Sequence, residues 1–361
     1  MKQRYITGLL FIVFILAGCR GEIPEPEIFS AAIWNVQNLF DGLDNGNEYA
    51  DFSEAGGWNR EKYAARITAI SQAIMGMADG PPPDLIGFSE IENLAVLEDL
   101  ATALSKYGYY WIAFANIPGA PVGIGAISRH PIMDIRAHSI TIENESAPRP
   151  TLELRIEAQG EPMVFLLCHW KSKTGGEDAT TAQRRASARI VQRRFLELIE
   201  DEINTPVIVM GDLNENHDEF YRRKIFSALL PDDPDAAALV SQSHGFNRTQ
   251  DFLVLSGKKP PRPNYFPDDL HVFYSPWLED ISEDYSRRNP GSYFFRDNWE
   301  TIDHFLLSAS LFTGSGWNYS NSRVLDNPPF TNSRATPNRY NPQSGVGLSD
   351  HLPLLLYLEF N

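Results

Sequence analysis

The sequence predicts an α/β sandwich, and two observations carry that expectation. Apolar, strand-like runs alternate with helical patterns in the first part of the chain and bunch together later, which fits a sandwich better than a doubly wound sheet. Several of those runs also end in an acidic, amide or histidine residue, so the polar ends of adjacent strands converge on one sheet edge. No glycine-rich phosphate loop of the Walker or dinucleotide type is present.

The chain has 361 residues, 43% of them hydrophobic, enough for one large globular domain or two small ones. Its formal charge is −16; the first 18 residues hold Lys2 and Arg4 and no acid, so the remainder carries −18. Such a chain repels polyanions at long range and lacks the basic character of a dedicated duplex binder, while brief enzymatic contacts remain open to it. The two cysteines, Cys19 and Cys168, have separate explanations, and no disulfide is expected.

Residues 1–18 read as an export signal. Lys2 and Arg4 give a positive start, and Ile6 to Ala17 is an apolar run too short to span comfortably as a mature helix. Leu16-Ala17-Gly18-Cys19 resembles a bacterial lipobox, which implies cleavage before Cys19 and a diacylglyceryl group on its thiol. Residues 19–28, with Pro24 and Pro26, then form an extended tether, and residues 29–361 the folded domain.

Phe29 to Val36 reads as the first strand, followed by an acidic, glycine-rich loop from Asp41 to Gly57. Asn59 can cap a helix to about Met77, with Tyr63, Ile67, Ile70 and Ile74 on one face and Pro81-Pro82-Pro83 as its stop. Asp84 to Ser89 is a short strand closed by Glu90, and a second helix runs from Leu94 to about Tyr107. Further strands are expected at 109–115, 123–128, 132–142, 151–158 and 163–169. A third helix, from Thr181 to about Ile203, carries an apolar stripe ringed by five arginines that read mostly as a solvated face. Residues 230–298, rich in Pro, Asp and aromatics, read as long loops and an insertion covering one side of a site. Thr301 to Ser308 and Leu352 to Phe360 are the last strands.

The most informative stretch is Val207-Ile208-Val209-Met210-Gly211-Asp212-Leu213-Asn214-Glu215. Four apolar residues make a buried strand, and Gly211 permits a tight turn. Asp212 and Asn214, two apart in extended chain, point the same way and offer a carboxylate and a neutral amide to one site. That pair suits a water held beside a phosphate. By the same logic Asn35, Glu90 and His169 follow strands, and Asp350 and His351 precede one.

The order WNVQNLFD, DLIGFSEIEN, HWKSK, GDLNE, IDHFLLS and SDHLPL resembles the endonuclease/exonuclease/phosphatase superfamily, from about Phe29 to Phe360. The resemblance implies a four-layered αββα sandwich, two mixed sheets face to face with helices outside. It also implies hydrolysis of phosphoric esters with a divalent cation, usually Mg²⁺, with Mn²⁺ or Ca²⁺ as alternatives. Glu90 would then be the main metal ligand with Asn35 beside it, and Asp350 a second acidic partner. Asp212 would hold and deprotonate the attacking water, and Asn214 would bind a phosphate oxygen. His351, oriented by Asp303, would contact the phosphoryl group, with His169 as the second histidine. Arg149, and Lys171 with Lys173 just after His169, are further phosphate-contact candidates. Two departures stand out. Gln37 occupies a position where many relatives carry Asp or Glu, and Trp299-Glu300-Thr301 lacks an arginine often found before IDHF.

The expected function is a lipid-anchored, monomeric phosphodiesterase of the cell envelope, exported to the periplasmic or extracellular face and acting on DNA or RNA. A phospholipid or sphingomyelin phosphodiesterase, or a phosphatase of small esters, is the alternative. A surface binding lipoprotein without catalysis is the remote one. Cys168 reads as a small core residue, His130 and His304 as structural, and His138, His217, His244 and His271 as surface or loop residues.

Overall fold

The computed structural model describes residues 26–139, 149–223, 227–243, 245–260, 271–279 and 290–361. The Cys19 lipobox, all but the last residues of the tether, and His244 lie outside them. The first third runs β1 (Glu27–Leu39), α1 (Arg60–Met75), β2 (Leu85–Ile91), α2 (Leu94–Ala103), β3 (Trp111–Ala115), β4 (Gly123–Ser128) and β5 (Ile132–His138). The hairpin of β6 (Thr151–Ala158) and β7 (Glu161–His169) leads into α3 (Glu177–Asp201) and β8 (Val207–Asp212). Next come α4 (Glu219–Arg223), β9 (Leu229–Pro231), α5 (Pro234–Gln242), α6 (Arg248–Asp251), β10 (Leu253–Ser256) and β11 (Val272–Tyr274). A small hairpin, β12 (Tyr293–Phe295) and β13 (Asn298–Glu300), precedes β14 (Asp303–Leu307), β15 (Trp317–Val324) and β16 (Leu354–Phe360).

Two large sheets result. One has six strands in the order β15-β16-β1-β2-β4-β3, the other eight in the order β5-β6-β7-β8-β14-β11-β10-β9. The period-2 alternation of the strands decides their packing. Phe29, Ala31 and Ile33 of β1 face Phe165 and Leu167 of β7, and Ile208 and Met210 of β8, in the core between the sheets. The alternate residues Ala32, Trp34 and Val36 turn outward onto Ile67, Ile70 and Ile74 of α1 and Leu97 and Leu100 of α2. On the other sheet Val164, Leu166 and Cys168 turn outward with Val207 and Val209 onto Val191, Phe195 and Leu198 of α3. The order helix, sheet, sheet, helix is the expected four-layered sandwich.

Local chemistry sets the helix ends. Asn59 caps α1 by accepting from the Lys62 amide at 3.0 Å, as its sequence position implied, and Asn93 caps α2 through the Val96 amide at 3.1 Å. The triple proline does not stop α1, which already ends at Gly76. The 94–107 helix breaks after Ala103 into a separate short 3-10 turn at Ser105–Tyr107. α3 starts four residues earlier than expected, because Glu177 and Asp178 favour the positive end of the helix dipole.

Three other expectations need correction. Part of the 230–298 region is not a covering insertion: β9, β10 and β11 extend the eight-stranded sheet. The arginines of α3 are not all solvated, since Arg184 is fully buried and ion-paired with Glu215 at 3.0 Å, and Arg194 pairs with Glu153 at 2.6 Å. Of the histidines expected on the surface or in loops, His138 instead ends β5 and lies 2.6 Å from Glu153, and His217 is in a loop but buried, meeting the Thr301 hydroxyl at 2.6 Å.

Candidate active site

Topology brings the polar strand ends together. β1 and β2 run parallel, as do β7 and β8, so their C-terminal ends share an edge of their sheets. β14 and β16 run antiparallel to β8 and β1, so their N-terminal ends arrive at the same edge. The register is close: His169 pairs with Asp212, Asp212 with Asp303, and Asn35 with Ser89. Gly211 does not turn the chain here. It lies within β8 at φ 143°, and a Cβ on it would come within 1.9 Å of the Cys168 carbonyl oxygen, so only glycine lets β8 approach β7 this closely.

Asn35 stands between two carboxylates. Its Nδ2 donates to Glu90 Oε1 at 3.1 Å and to Asp212 Oδ2 at 3.0 Å, while its Oδ1 accepts from the Gln37 amide at 3.0 Å. His169 Nε2 lies 3.9 Å from Glu90 Oε1 and 3.8 Å from Asp212 Oδ2. Glu90 Oε2 accepts from the Asn38 amide at 2.8 Å, and Asp212 Oδ1 from the Asn214 amide at 2.9 Å. Beside Asp212, His351 Nδ1 donates to Asp303 Oδ2 at 2.8 Å. Glu90, Asp212, Asn214, His169, Asp350 and His351 line one polar cavity of about 710 Å³, joined by Arg149, Arg296 and Arg339. Of the eight non-glycine residues with positive φ among those described, Gln37, Asn38, Glu90, Asn214 and Arg296 line it too. Backbone strain is therefore concentrated where side chains must be aimed.

Burial, then the neighbouring Asp303, pushes the Asp212 carboxyl up to about 7. Burial and Asp350 raise Glu90 as well. Burial, reinforced by Arg149, presses His169 well below the usual histidine value. Burial works against a charged His351, yet Asp303 prevails and lifts it to about 10. No lysine or arginine ion-pairs with Glu90 or Asp212 among the described residues, and Asp303 Oδ1 is buried without a hydrogen-bond partner. A buried carboxylate, Asp212, beside a half-buried one, Glu90, is costly without a cation, and a hard divalent ion with oxygen ligands offsets that cost. The donor set therefore fits such an ion. Asp212, Asp303 and His351 bring ligand-type atoms within 4.8 Å of one another. Because His351 Nδ1 is taken by Asp303, those two form a hydrogen-bonded pair beside Asp212, and the Glu90 and Asp212 carboxylates are the better cation-facing pair.

A model of the endonuclease/exonuclease/phosphatase family matches residues 30–247. The chain belongs to the endonuclease/exonuclease/phosphatase family. Its fold is similar to the human Nocturnin catalytic domain with bound sulfate anion, at 14% identity and a TM-score of 0.53, covering 92% of this chain and 95% of that one. A family protein from Bacteroides thetaiotaomicron is 18% identical with a TM-score of 0.50, covering 93% and 99%. Truncated TDP2 from Caenorhabditis elegans is 16% identical with a TM-score of 0.50, covering 92% and 98%. Among curated protein sequences, none matches this chain. The endonuclease/exonuclease/phosphatase family comprises hydrolases, including phosphodiesterases and nucleases, that typically use divalent metals.

Within this family member, eight residues singled out in the sequence meet at the edge described: Asn35, Glu90, His169, Asp212, Asn214, Asp303, Asp350 and His351. Arg149 also lines the cavity and donates to the Trp170 carbonyl at 2.9 Å. Lys171 is not among the lining residues, and its carbonyl accepts from Arg184 at 3.3 Å. Lys173 lines the cavity in its place, ion-paired with Glu219 at 2.9 Å. Gln37 has a role of its own. Its Nε2 donates to the Tyr340 carbonyl and its Oε1 accepts the Tyr340 amide, each at 2.9 Å, so it clamps a distant loop to β1. Sequence reasoning missed Tyr49, Tyr293, Phe295, Arg296 and Arg339 on the cavity wall. The only local signal for the aromatic pair was a short Arg-Asp-Asn turn between aromatic residues.

Proposed function

We propose that this protein is a divalent-cation-dependent phosphodiesterase of the cell envelope that cuts DNA or RNA. One observation carries the reading: the Glu90 and Asp212 carboxylates, joined by the Asn35 amide, stand beside the His351–Asp303 pair at a single polar cavity. Glu90, with Asp350 beside it, would hold Mg²⁺, with Mn²⁺ or Ca²⁺ as alternatives; Asn35, expected as a ligand, turns its NH₂ to both carboxylates and its Oδ1 to the Gln37 amide, so it positions them instead. When bound, the cation neutralises phosphate charge and favours hydroxide over water. Asp212, its carboxylate fixed by Asn35 and by the Asn214 amide, orients the attacking water and takes its proton. Asn214 donates one amide hydrogen to the Trp170 carbonyl at 3.2 Å and keeps the other for a phosphoryl oxygen. With Nδ1 held by Asp303, His351 offers Nε2 to the phosphoryl group and the leaving oxygen. Neutral His169 donates a hydrogen bond without adding charge, and Arg149 pairs with a second oxygen.

A lipid on Cys19 and the 19–28 tether would hold the domain at a membrane surface, and Cys19→Ala should move the protein from the membrane to the soluble fraction. The decisive experiment is a panel of substrates given to the purified full-length protein in detergent. Duplex DNA, single-stranded DNA, RNA, sphingomyelin vesicles and inositol phosphates are each tested with Mg²⁺ and with chelator. Cation-dependent cleavage of nucleic acid is the expected result. Inertness towards every nucleic acid ends the nuclease reading.

A further inference from the structure

The cavity wall continues outward from His351. The Tyr293 ring packs on the His351 imidazole with centroids 4.6 Å apart at 33°, and the two residues also pair through their backbones as an isolated antiparallel bridge. Phe295 stacks on Tyr293 at 6.1 Å and 16°. The Arg296 guanidinium lies 5.0 Å from the Phe295 ring centroid. His351, Tyr293, Phe295 and Arg296 thus form a column of flat faces along the cavity wall, and all four line it.

This column is firmly held. Arg296 and Asp297 form the two-residue turn between β12 and β13 with φ of 47° and 62°, the left-handed pattern of a type I′ turn that usually takes Asn or Gly. An arginine there is conformationally costly, and its side chain lines the cavity. Ser292, beside the hairpin, accepts the Leu352 amide on its carbonyl at 2.7 Å and the Asp303 amide on its hydroxyl at 3.1 Å. The hairpin is therefore fixed to the same backbone that sets His351 and Asp303.

Phe295 is 45% exposed and Tyr49 43%; among the exposed large apolar side chains of the described residues, these are the two that line the cavity, and both are aromatic. The surrounding lining, including Arg296, Ser172, Thr174 and Arg339, is polar. A surface for entering a bilayer needs a broad aliphatic face. An aromatic stack with a guanidinium over its outer ring presents a flat cationic surface that matches a planar base instead. Resting on the nuclease reading above, we infer that Tyr293, Phe295 and Arg296 form a stacking platform for the base next to the scissile phosphate. The substrate class is then an unpaired strand, whose bases have faces free to stack, rather than a duplex.

The test compares two single-stranded oligonucleotides of equal length, one with its bases and one with a base-free tract, cleaved by the full-length protein in detergent. Wild type should favour the base-bearing strand by about tenfold in kcat/KM. Phe295→Ala should bring that ratio close to one, and Phe295→Trp should keep it. A hairpin that acts only as scaffold lowers both rates together, so an unchanged ratio in Phe295→Ala overturns the inference and leaves the nuclease reading standing. A wild-type ratio near one does the same. Hydrolysis of sphingomyelin vesicles with neither strand cut overturns both.

Discussion

His351 owes its state to a single neighbour. Its burial alone would discharge the ring, and the Asp303 carboxylate 2.8 Å away reverses that and fixes the proton on Nδ1. Asp303→Asn keeps the shape but removes the charge and leaves the tautomer undefined. On this mechanism kcat should fall by roughly 10²–10⁴, with the melting temperature little changed. Retention of full activity in this variant would show that the pair is not part of the chemistry. Gln37 makes a different residue-scale claim. Both ends of its side chain are taken by the Tyr340 backbone, so a carboxylate at that position faces a carbonyl it cannot donate to. Gln37→Glu should cost about 1–3 kcal/mol of stability, read from the urea midpoint. If Gln37→Glu is as stable as wild type and more active, the position is a ligand seat and not a clamp.

At the scale of elements, the buried polar contacts of α3 explain how it is held to the sheet. Glu153 on β6 accepts from Arg194 of α3 at 2.6 and 2.9 Å and lies 2.6 Å from His138 of β5. Burial alone would raise the Glu153 carboxyl, yet the contacts with His138 and Arg194 bring it down to about 2 from 4.5. A depressed carboxyl binds fewer protons folded than unfolded. Its contribution is therefore complete above pH 4.5 and is lost as pH falls through about 2. That contribution is roughly 3 kcal/mol at neutral pH. Glu153→Gln should lower the urea midpoint at pH 7, and the gap to wild type should close between about pH 4.5 and 2. A gap independent of pH would assign the loss to packing. These contacts were illegible in the sequence, because an arginine beside an apolar stripe reads as solvated unless its acid, on a remote strand, is known. The long strands were legible from their apolar runs and β-branched content. β9 and β11, with three residues each, are too short for periodicity to show. The site was legible wherever a polar residue ended a long apolar run, as at Glu90, His169 and Asp212. Tyr293 and Phe295 belong to the site through contact with His351, and nothing nearby in the chain reports that contact.

At the scale of the whole molecule, a formal charge of −16 has to coexist, on the nuclease reading proposed above, with a polyanionic substrate. Apart from Lys173, which is ion-paired with Glu219, the cations that line the cavity, Arg149, Arg296 and Arg339, are local, and Arg339 sits 3.8 Å from Asp350. No more than about three phosphates can be neutralised there, which gives a slope of log affinity on log salt of roughly −2 for a single strand. Long-range repulsion acts in the opposite direction. It extends about 30 Å at 0.01 M salt and shrinks to about 10 Å at 0.1 M. Plotted against salt from about 0.01 to 0.3 M NaCl at fixed Mg²⁺, log kcat/KM for a single-stranded oligonucleotide should first stay flat or rise. It should then fall with a slope no steeper than about −2. A slope of roughly −5 across the whole range would require a continuous basic track, and the charge distribution of this fold would then have been misread.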